Sequence, residues 1–363
     1  MQLRYGMNPH QAPASATPVG RALPFEVLSG RPGYINLLDA LNAWQLVRVA
    51  SAATGEVAAT SFKHVSPAGV ALPGEVPAFM LDAYDVGGHD FSEAASACFR
   101  ARSSDPRSSF GDFIALSAEV DESAARLIRK VVSDGIIAPG FSPRALELLR
   151  EKKKGAYLIL QADPAYEPPA EESREVFGVR LTQARGDAPI DPGAELGEVV
   201  SGKLSSRARR DLLLGIATAR FTQSNSVVYA RDGLVMGIGA GQQSRIDCTR
   251  LAGEKAANWW LIQHPRVLAA GAGESPQTRI NELYAAAARL GAPERAEWLA
   301  AFTDLALVSD GYLPFADNVL EASGRGVTAI AAPAGSIRDD AVTEACRKLE
   351  MTLVHTAHRY FHH

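Results

Sequence analysis

Lys63 and His64 are adjacent residues whose types suit proton transfer near neutral pH. They follow the strand-like residues 57–62, and residues 66–69 (Ser-Pro-Ala-Gly) predict a turn that ends regular strand pairing. Adjacent side chains on a regular strand point to opposite faces, so both can serve one site only where the strand ends or bulges. A neutral imidazole accepts a proton, and a neighbouring ammonium stabilises negative charge that develops on a substrate oxygen. The pair predicts general-base chemistry; the alternative is a surface lysine beside a partly buried histidine.

A glycine-rich segment, residues 237–245, follows a predicted strand and opens a predicted helix. Its glycines allow backbone N–H groups to approach a ligand, and a helix N-terminus favours an anion. Gln242 stands where a dinucleotide-binding loop has its third glycine, so the segment departs from that fingerprint. In the nearby turn of residues 223–225, the Asn225 amide can donate a hydrogen bond to a reacting carbonyl. The alternative for Asn225 is a turn residue that bonds its own backbone.

The composition excludes several classes of protein. The chain has 363 residues, of which 47% are hydrophobic and 21% charged, which is typical of a globular protein of about two domains. Its 37 Lys and Arg residues against 41 Asp and Glu residues argue against a broad nucleic-acid-binding face. No long apolar run and no signal-peptide pattern occur, so we expect no membrane association and a cytoplasmic location. Cys98, Cys248 and Cys346 lack metal-ligand spacing, so we expect reduced, buried thiols and no metal site.

Short apolar runs alternate with amphipathic stretches, which predicts an α/β fold with helices covering a largely parallel or mixed sheet. The predicted strands are residues 25–28, 57–62, 113–116, 135–138, 157–160, 226–229, 234–238, 305–308, 328–331 and 352–355, and the predicted helices are residues 35–53, 124–132, 143–153, 209–219 and 339–349.

Prolines and acidic residues cluster between residues 162 and 202, which predicts a domain boundary there. We therefore expect a first subdomain over residues 1–165, a linker over residues 166–203 and a second subdomain over residues 204–363. Residues 133–139 resemble residues 309–315, each beginning Ser-Asp-Gly, which hints at an internal duplication. Two independent turns at strand ends are the alternative.

Seven separated motifs occur in the order found in one enzyme family. They are residues 4–11, 62–69, 108–113, 133–139, 223–226, 237–247 and 359–363. Together they resemble the AICAR transformylase half of the bifunctional purine-biosynthesis enzyme, and the resemblance covers nearly the whole chain. It implies tandem cytidine-deaminase-like three-layer α/β/α subdomains without zinc. It also implies formyl transfer from the cosubstrate 10-formyltetrahydrofolate to the 5-amino group of AICAR, giving FAICAR and tetrahydrofolate, by a homodimer with shared active sites.

The resemblance also implies roles for individual residues. By position, His64 is the base that takes the amine proton, Lys63 its partner and charge stabiliser, and Asn225 the amide that orients the formyl group. The positions that match AICAR-binding residues are Arg4, Tyr5, His64, Gly111, Asp134, Asn225, Tyr312 and Arg359, and those on the folate side are Arg245, Ile246, Asp317, Ser336 and Ile337. Whether a monovalent cation such as potassium binds near Asn225 stays open.

The sequence departs from the family pattern in three places. It begins at the transformylase motif, so we expect it to make FAICAR without closing it to IMP, and a separate IMP cyclohydrolase is implied. Leu313 replaces one of two expected phenylalanines beside Tyr312, and residues 265–304 look shorter than in longer relatives. Two other functions are considered. A catalytically silent purine-nucleotide or folate-binding dimer need not keep Lys63, His64 and Asn225 together, and an oxidoreductase needs a glycine at Gln242.

Overall fold

The computed structural model describes residues 1–20, 22–88 and 90–363 and shows a three-layer α/β fold. A mixed sheet of twelve strands runs through the middle, with a hydrophobic core on each face. In the strand Asp112–Leu116, for example, Phe113 and Ala115 belong to one core while Ile114 and Leu116 belong to the other. The predicted α/β class is confirmed.

The first half of the chain contains β1 to β8 and α1 to α5. In chain order these elements are β1 (Gln2–Leu3), β2 (Ala14–Ser15), β3 (Phe25–Ser29), α1 (Tyr34–Thr54), β4 (Ala59–Lys63), β5 (Ser66–Ala71), α2 (Ala78–Tyr84), α3 (Glu93–Ser103), β6 (Asp112–Leu116), α4 (Glu122–Lys130), β7 (Ser133–Ala138), α5 (Pro143–Arg150), a short 3-10 helix (Lys152–Gly155) and β8 (Leu158–Ala162). Helix α1 ends at Gly55, whose φ of 75° stops the helix at no steric cost.

The second half contains β9 to β16 and α6 to α13. In chain order these elements are β9 (Glu171–Val176), β10 (Val179–Ala184), α6 (Pro192–Glu195), β11 (Glu198–Ser201), α7 (Ser206–Arg220), β12 (Val227–Arg231), β13 (Leu234–Gly239), α8 (Arg245–Leu261), α9 (Pro265–Leu268), α10 (Pro276–Ala288), α11 (Ala292–Ala300), β14 (Leu305–Ser309), α12 (Asp317–Ser323), β15 (Val327–Pro333), α13 (Asp339–Lys348) and β16 (Thr352–Thr356). Helix α7 begins after Ser205, whose side chain accepts the Ala208 N–H.

The large sheet is built from two copies of one strand order. The first half has the order β5-β4-β6-β7-β8-β3, and the second half has the corresponding order β13-β12-β14-β15-β16-β11. Strands β5 and β13 join the copies as an antiparallel pair, with Val70 opposite Val235 and Ala71 opposite Leu234. The topology therefore contains an internal repeat.

The two Ser-Asp-Gly segments are not counterparts in this repeat. The segment at Ser133 begins β7, whereas the segment at Ser309 starts with the last residue of β14, and the counterpart of β14 is β6. The structure therefore contains the duplication that this short match suggests. The match itself does not align the two copies, because the same tripeptide lies at the start of one strand and at the end of another that is not its counterpart.

The strand directions bring distant segments to one edge of the sheet. Strands β4, β5, β13 and β12 are successively antiparallel, so the end of β4 lies at the same edge as the start of β12. Because β14 is antiparallel to β12 and β6 is antiparallel to β4, β6 and β7 begin at this edge while β14, β15 and β16 end there. We call it the Lys63 edge, and the opposite edge, where the β12–β13 turn lies, the Asp232 edge.

The predicted linker has structure of its own. Strands β9 and β10 form a separate antiparallel hairpin whose residues are nearly all exposed, and β11 joins the large sheet beside β16. Pro192, the first residue of α6, follows the helix cap Asp191, whose side chain accepts the Gly193 N–H. The prolines and acidic residues of this stretch thus shape turns and caps.

Candidate active site

Lys63 and His64 lie where β4 turns into β5. Lys63 pairs with Ser66, so His64 and Val65 form a two-residue turn, with φ angles of 55° and 57°. Lys63 Nζ donates a hydrogen bond to the Phe110 carbonyl at 2.7 Å, and the His64 side chain is exposed. The prediction that the strand ends here is confirmed, because β4 ends at Lys63.

The predicted turn at residues 66–69 is wrong, because these residues begin strand β5. Pro67 pairs with Phe62 and Gly69 with Ser61, which leaves one extra residue between them and forms a bulge. A bulge tolerates proline within a sheet. Gly69 permits close approach of α3, since a Cβ at this position would lie 2.2 Å from the Ala101 carbonyl oxygen.

A carboxylate on α1 lies beneath the His64–Val65 turn. Asp39 is 6% exposed, and its Oδ1 accepts the Val65 N–H at 2.7 Å. Burial raises the pKa of Asp39, while the Val65 N–H, the charge of His64 and the His64 N–H act in the opposite direction. Sequence reasoning missed this residue; an aspartate among the apolar positions of a helix is the signal that marks it.

A buried polar network supports the segment that receives Lys63. Asp112 forms an ion pair with Arg102, and its Oδ2 accepts a hydrogen bond from Ser61 Oγ at 2.6 Å. Arg102 also donates to the Ser109 carbonyl at 2.8 Å. These contacts hold the residues on both sides of Phe110 and Gly111, so the network fixes the loop against which Lys63 rests.

Asp134 and a half-buried lysine lie beside this network. Asp134 forms an ion pair with Lys153 at 3.1 Å on the surface of the Lys63 edge. The neighbouring Lys152 donates to the carbonyls of Ile128 and Val131 and to Ser133 Oγ. Burial, with Arg102 nearby, lowers the pKa of Lys152 to about 7.

The Asn225 amide is held from both ends. Arg245 donates to its Oδ1 at 2.8 Å, and its Nδ2 donates to the Gln243 carbonyl at 3.1 Å. Because a guanidinium only donates and a carbonyl only accepts, these partners fix which end of the amide is oxygen and which is nitrogen. The second N–H of Nδ2 makes no hydrogen bond within the described residues, so it is a donor of fixed direction.

Arg245 acts from a buried ion pair. It is 8% exposed, pairs with the fully buried Asp310, and donates to the Ser226 carbonyl at 3.2 Å. Asp310 Oδ2 in turn accepts from Ser224 Oγ at 2.6 Å and from the Ser226 N–H at 3.0 Å. The pair therefore fixes the backbone on both sides of Asn225 as well as its amide.

The C-terminal segment packs against the Asn225 loop. The Tyr360 N–H donates to the Asp310 carbonyl at 2.8 Å, and His362 exchanges hydrogen bonds with Ser224. Glu195, which is 1% exposed, anchors the segment by contacts with His358 at 2.5 Å and with the Tyr360 hydroxyl at 2.7 Å. These bonds bring the adjacent residue Arg359 to the same loop.

Two aromatic positions and one glycine shape this surface. Tyr312 is 44% exposed, whereas Leu313 is 3% exposed and packs in the core, so the replacement at Leu313 lies inside the protein. Gly311 permits close packing, since a Cβ there would lie 2.7 Å from both the Arg245 guanidinium and the Phe361 ring. The Arg359 guanidinium lies over the Phe361 ring at 4.4 Å.

The remaining residues predicted to bind substrate lie at three places. The Arg4 guanidinium lies 5.5 Å from the centre of the Tyr5 ring, in an N-terminal segment tied down by a bond from the Met1 amine to the Ala16 carbonyl at 2.8 Å. On the folate side, Ile246 is half-buried in the first turn of α8, and Asp317 begins α12. Ser336 and Ile337 follow β15, at the Lys63 edge, and Ile337 is fully exposed.

The structure thus gathers eight of the predicted residues into two groups, to neither of which Arg4, Tyr5, Ile246, Asp317, Ser336 and Ile337 belong. The Lys63 group comprises Lys63, His64, Gly111 and Asp134, and the Asn225 group comprises Asn225, Arg245, Tyr312 and Arg359. Both lie at the Lys63 edge, but β5 and β13 separate them, so the ends of β4 and β12 are about 14 Å apart at about 4.8 Å per strand. Across the described residues, no hydrogen bond or ion pair joins the two groups.

The described part of the chain offers no cluster of His, Cys, Asp and Glu side chains arranged to hold a metal ion. All three cysteines are free and buried, as the sequence predicts. None of the described helices is long and apolar enough to cross a membrane.

Most of the chain matches the model of one protein family. Residues 1–255 match the model described as AICARFT/IMPCHase bienzyme. The match includes Lys63, His64, Asn225 and Arg245 and ends within α8, so β14 to β16 and the C-terminal segment lie beyond it. The chain belongs to the AICARFT/IMPCHase family of purine-biosynthesis enzymes.

Proposed function

We propose that the protein is a phosphoribosylaminoimidazolecarboxamide formyltransferase, which transfers the formyl group of 10-formyltetrahydrofolate to the 5-amino group of AICAR. The family spans transformylase and cyclohydrolase activities, so family membership supports purine biosynthesis without choosing between them. The observation that carries the choice is that an exposed base and an amide donor both lie at one edge of the sheet. Formyl transfer to an amine needs a proton acceptor for the amine and a donor for the carbonyl oxygen.

His64 is the proposed base. As the amine nitrogen bonds to the formyl carbon, His64 takes the amine proton, and general-base catalysis of this kind contributes about 10² to 10⁴-fold. The bond between the formyl carbon and N10 of the folate then breaks, and N10 takes a proton, so FAICAR and tetrahydrofolate are released. Lys63, whose ammonium donates to the Phe110 carbonyl at 2.7 Å and which is next to His64 in sequence, is the proposed cation that stabilises charge on the formyl oxygen.

Asn225 is the proposed donor to the formyl oxygen. Its second N–H makes no hydrogen bond within the described residues, while Gln243 and Arg245 hold the amide. A donor fixed before the substrate arrives stabilises the developing oxyanion without reorganising, and removing one such donor costs about 10² to 10³-fold in kcat. Around this donor we place AICAR against Arg4, Tyr5, Gly111, Asp134, Tyr312 and Arg359, and the folate against Ile246, Asp317, Ser336, Ile337 and the Arg245 region.

We propose that two copies share each active site. His64 and Asn225 must contact atoms that are bonded to one another in the transition state, yet about 14 Å separates the strand ends that carry them within one chain. A second copy whose Lys63 group lies over the Asn225 group removes this separation. The exposed apolar side chains Tyr312, Phe315, Ile337 and Phe361 around the Asn225 group supply a surface for such a copy.

The test is release of tetrahydrofolate, followed by absorbance, when the protein meets AICAR and 10-formyltetrahydrofolate together and each alone. Release that requires both substrates, with FAICAR accumulating, supports the transferase. Analysis of the products for IMP reports whether cyclohydrolysis follows. Binding of AICAR by calorimetry without any release overturns the proposal in favour of a silent binding protein.

A further inference from the structure

The internal repeat gives the His64 turn a counterpart within the same molecule. The β12–β13 hairpin has a two-residue turn at Asp232 and Gly233, flanked by the pair Arg231 and Leu234 just as the His64 turn is flanked by Lys63 and Ser66. Both hairpins also carry a one-residue bulge at the same distance from the turn, after Ser61 in one and after Tyr229 in the other. The two turns are therefore equivalent positions of the fold.

Each turn is held by an aspartate on the equivalent helix. Asp39 is the sixth residue of α1 (Tyr34–Thr54), and Asp211 is the sixth residue of α7 (Ser206–Arg220). Asp211 accepts the N–H groups of Asp232 at 3.0 Å and of Gly233 at 2.6 Å. Asp39 accepts the Val65 N–H at 2.7 Å, and the His64 N–H favours its charged form.

The two turns differ in how well their residues suit left-handed backbone. Asp232 and Gly233 have φ angles of 54° and 70°, and Asp-Gly is a preferred sequence for a hairpin turn with left-handed residues. His64 and Val65 adopt φ angles of 55° and 57°, which are unfavourable for a histidine and more so for a β-branched valine. Equivalent carboxylates therefore hold the two turns: Asp211 holds a favourable turn at the Asp232 edge, and Asp39 holds a strained turn at the Lys63 edge.

We propose that Asp39 is the positioning residue of the active site, which holds His64 in a turn that its own sequence disfavours. Strained backbone persists where surrounding contacts impose it, and such residues concentrate at active sites. Without the Asp39 carboxylate, the turn loses the acceptor of the Val65 N–H, and the backbone that carries the imidazole loses its support. Asp211 holds the equivalent turn at an edge that carries none of the residues assigned to catalysis. A variant of Asp211 therefore reports the effect on stability alone, whereas a variant of Asp39 reports the effects on stability and on the position of His64.

This inference rests on the formyl transfer proposed above, and the experiment compares Asp39→Asn with Asp211→Asn. The neutral amide fills the same space but has one acceptor oxygen instead of two and carries no charge, so it accepts the N–H groups of the turn more weakly. We expect Asp39→Asn to lower kcat by about 10- to 100-fold with little change in the KM for AICAR, because a displaced catalytic group loses mainly transition-state stabilisation. We expect Asp211→Asn to lower Tm while kcat stays within about twofold of the native value.

Two further measurements separate the possible outcomes. In a His64→Ala background, Asp39→Asn is expected to cause no further loss of kcat, because its effect is exerted through His64. An additional loss in that background, or native kcat in Asp39→Asn alone, overturns the proposal. Hydrogen–deuterium exchange of the peptide that spans residues 62–66 does not depend on turnover. If the native protein shows no formyl transfer, the proposed function fails, and faster exchange in Asp39→Asn still supports the positioning contact while unchanged exchange overturns it.

Discussion

Arg245 donates a hydrogen bond to Asn225 Oδ1 at 2.8 Å from within a buried ion pair with Asp310. The guanidinium, which is expected from sequence analysis on the folate side, thus faces inward and fixes the direction of the amide. Its planar fork contacts the Asp310 carboxylate, the Ser226 carbonyl and Asn225 together, which a lysine ammonium cannot reproduce. The stability of this loop and the direction of the proposed formyl-oxygen donor therefore depend on the same side chain.

Replacing Arg245 separates these two effects. Arg245→Met leaves Asp310 buried without its cation, and we expect the free energy of unfolding to fall by about 3–5 kcal/mol. Adding Asp310→Asn removes the unpaired charge and is expected to restore most of that stability. We do not expect the double variant to regain kcat, because the Asn225 amide still lacks the Arg245 hydrogen bond that fixes its direction.

Urea denaturation and steady-state kinetics on the single and double variants check this prediction. Arg250→Met is the matched control, since Arg250 lies on the same helix with its side chain 54% exposed. We expect this control to change stability by less than about 0.5 kcal/mol. Recovery of kcat together with stability in the double variant would contradict a positioning role for Arg245.

Mixing two inactive variants tests the shared active site. His64→Ala and Asn225→Ala are each expected to lose most turnover, with AICAR binding retained within about tenfold, because both groups act mainly in the transition state. If each site combines His64 of one copy with Asn225 of the other, a mixed dimer has one intact site. An equimolar mixture that exchanges subunits then regains about a quarter of native activity. Titration of one variant with the other measures this directly, and activity that stays at the level of the separate variants excludes sharing.

Lys152 makes stability depend on pH. Its pKa falls from 10.5 to about 7 on folding, so between these values the unfolded chain binds more protons than the folded chain. The free energy of unfolding therefore rises with pH across this window, by at most about 1.4 kcal/mol per pH unit, and the gain is absent below pH 7. Denaturation curves between pH 7 and 9.5 for the native protein and Lys152→Met check the sign. The native protein should show the steeper rise, and parallel profiles would mean that Lys152 stays charged when buried.

Much of the fold follows from local sequence pattern. Residues 25–28 and 35–53 were predicted as a strand and a helix, and the structure has Phe25–Ser29 and Tyr34–Thr54. Strand β5 was missed because Pro67 and Gly69 are typical of turns, whereas here they serve a bulge and the close approach of α3. Local pattern identifies such residues as special without revealing which neighbour makes them so.

The residues that hold the catalytic groups are harder to predict from sequence. Lys63, His64 and Asn225 are identifiable by motif, but Asp39 contacts a turn 26 positions away and Arg245 contacts an amide 20 positions away. Neither spacing is a helical or strand period, so only the folded chain brings them together. The internal repeat also becomes visible only in the folded chain, through strand order and turn geometry. The one short match in sequence pairs elements that are not counterparts.

The strain in the His64–Val65 turn predicts that a more stable protein is a poorer enzyme. Val65 has a φ of 57°, and left-handed backbone costs about 1–2 kcal/mol for a residue with a side chain. Val65→Gly matches the turn to its counterpart at Gly233, and we expect the free energy of unfolding to rise by about 1 kcal/mol after the loss of valine contacts. We expect kcat to fall several-fold, because a glycine loosens the backbone next to His64. The reverse change, Gly233→Val, should destabilise without lowering kcat, since its Cβ would lie 2.5 Å from the Arg210 guanidinium at the other edge of the sheet. Urea denaturation gives the free energy of unfolding of both variants, and steady-state kinetics gives their kcat. A Val65→Gly protein less stable than the native one would show that the turn stores no strain.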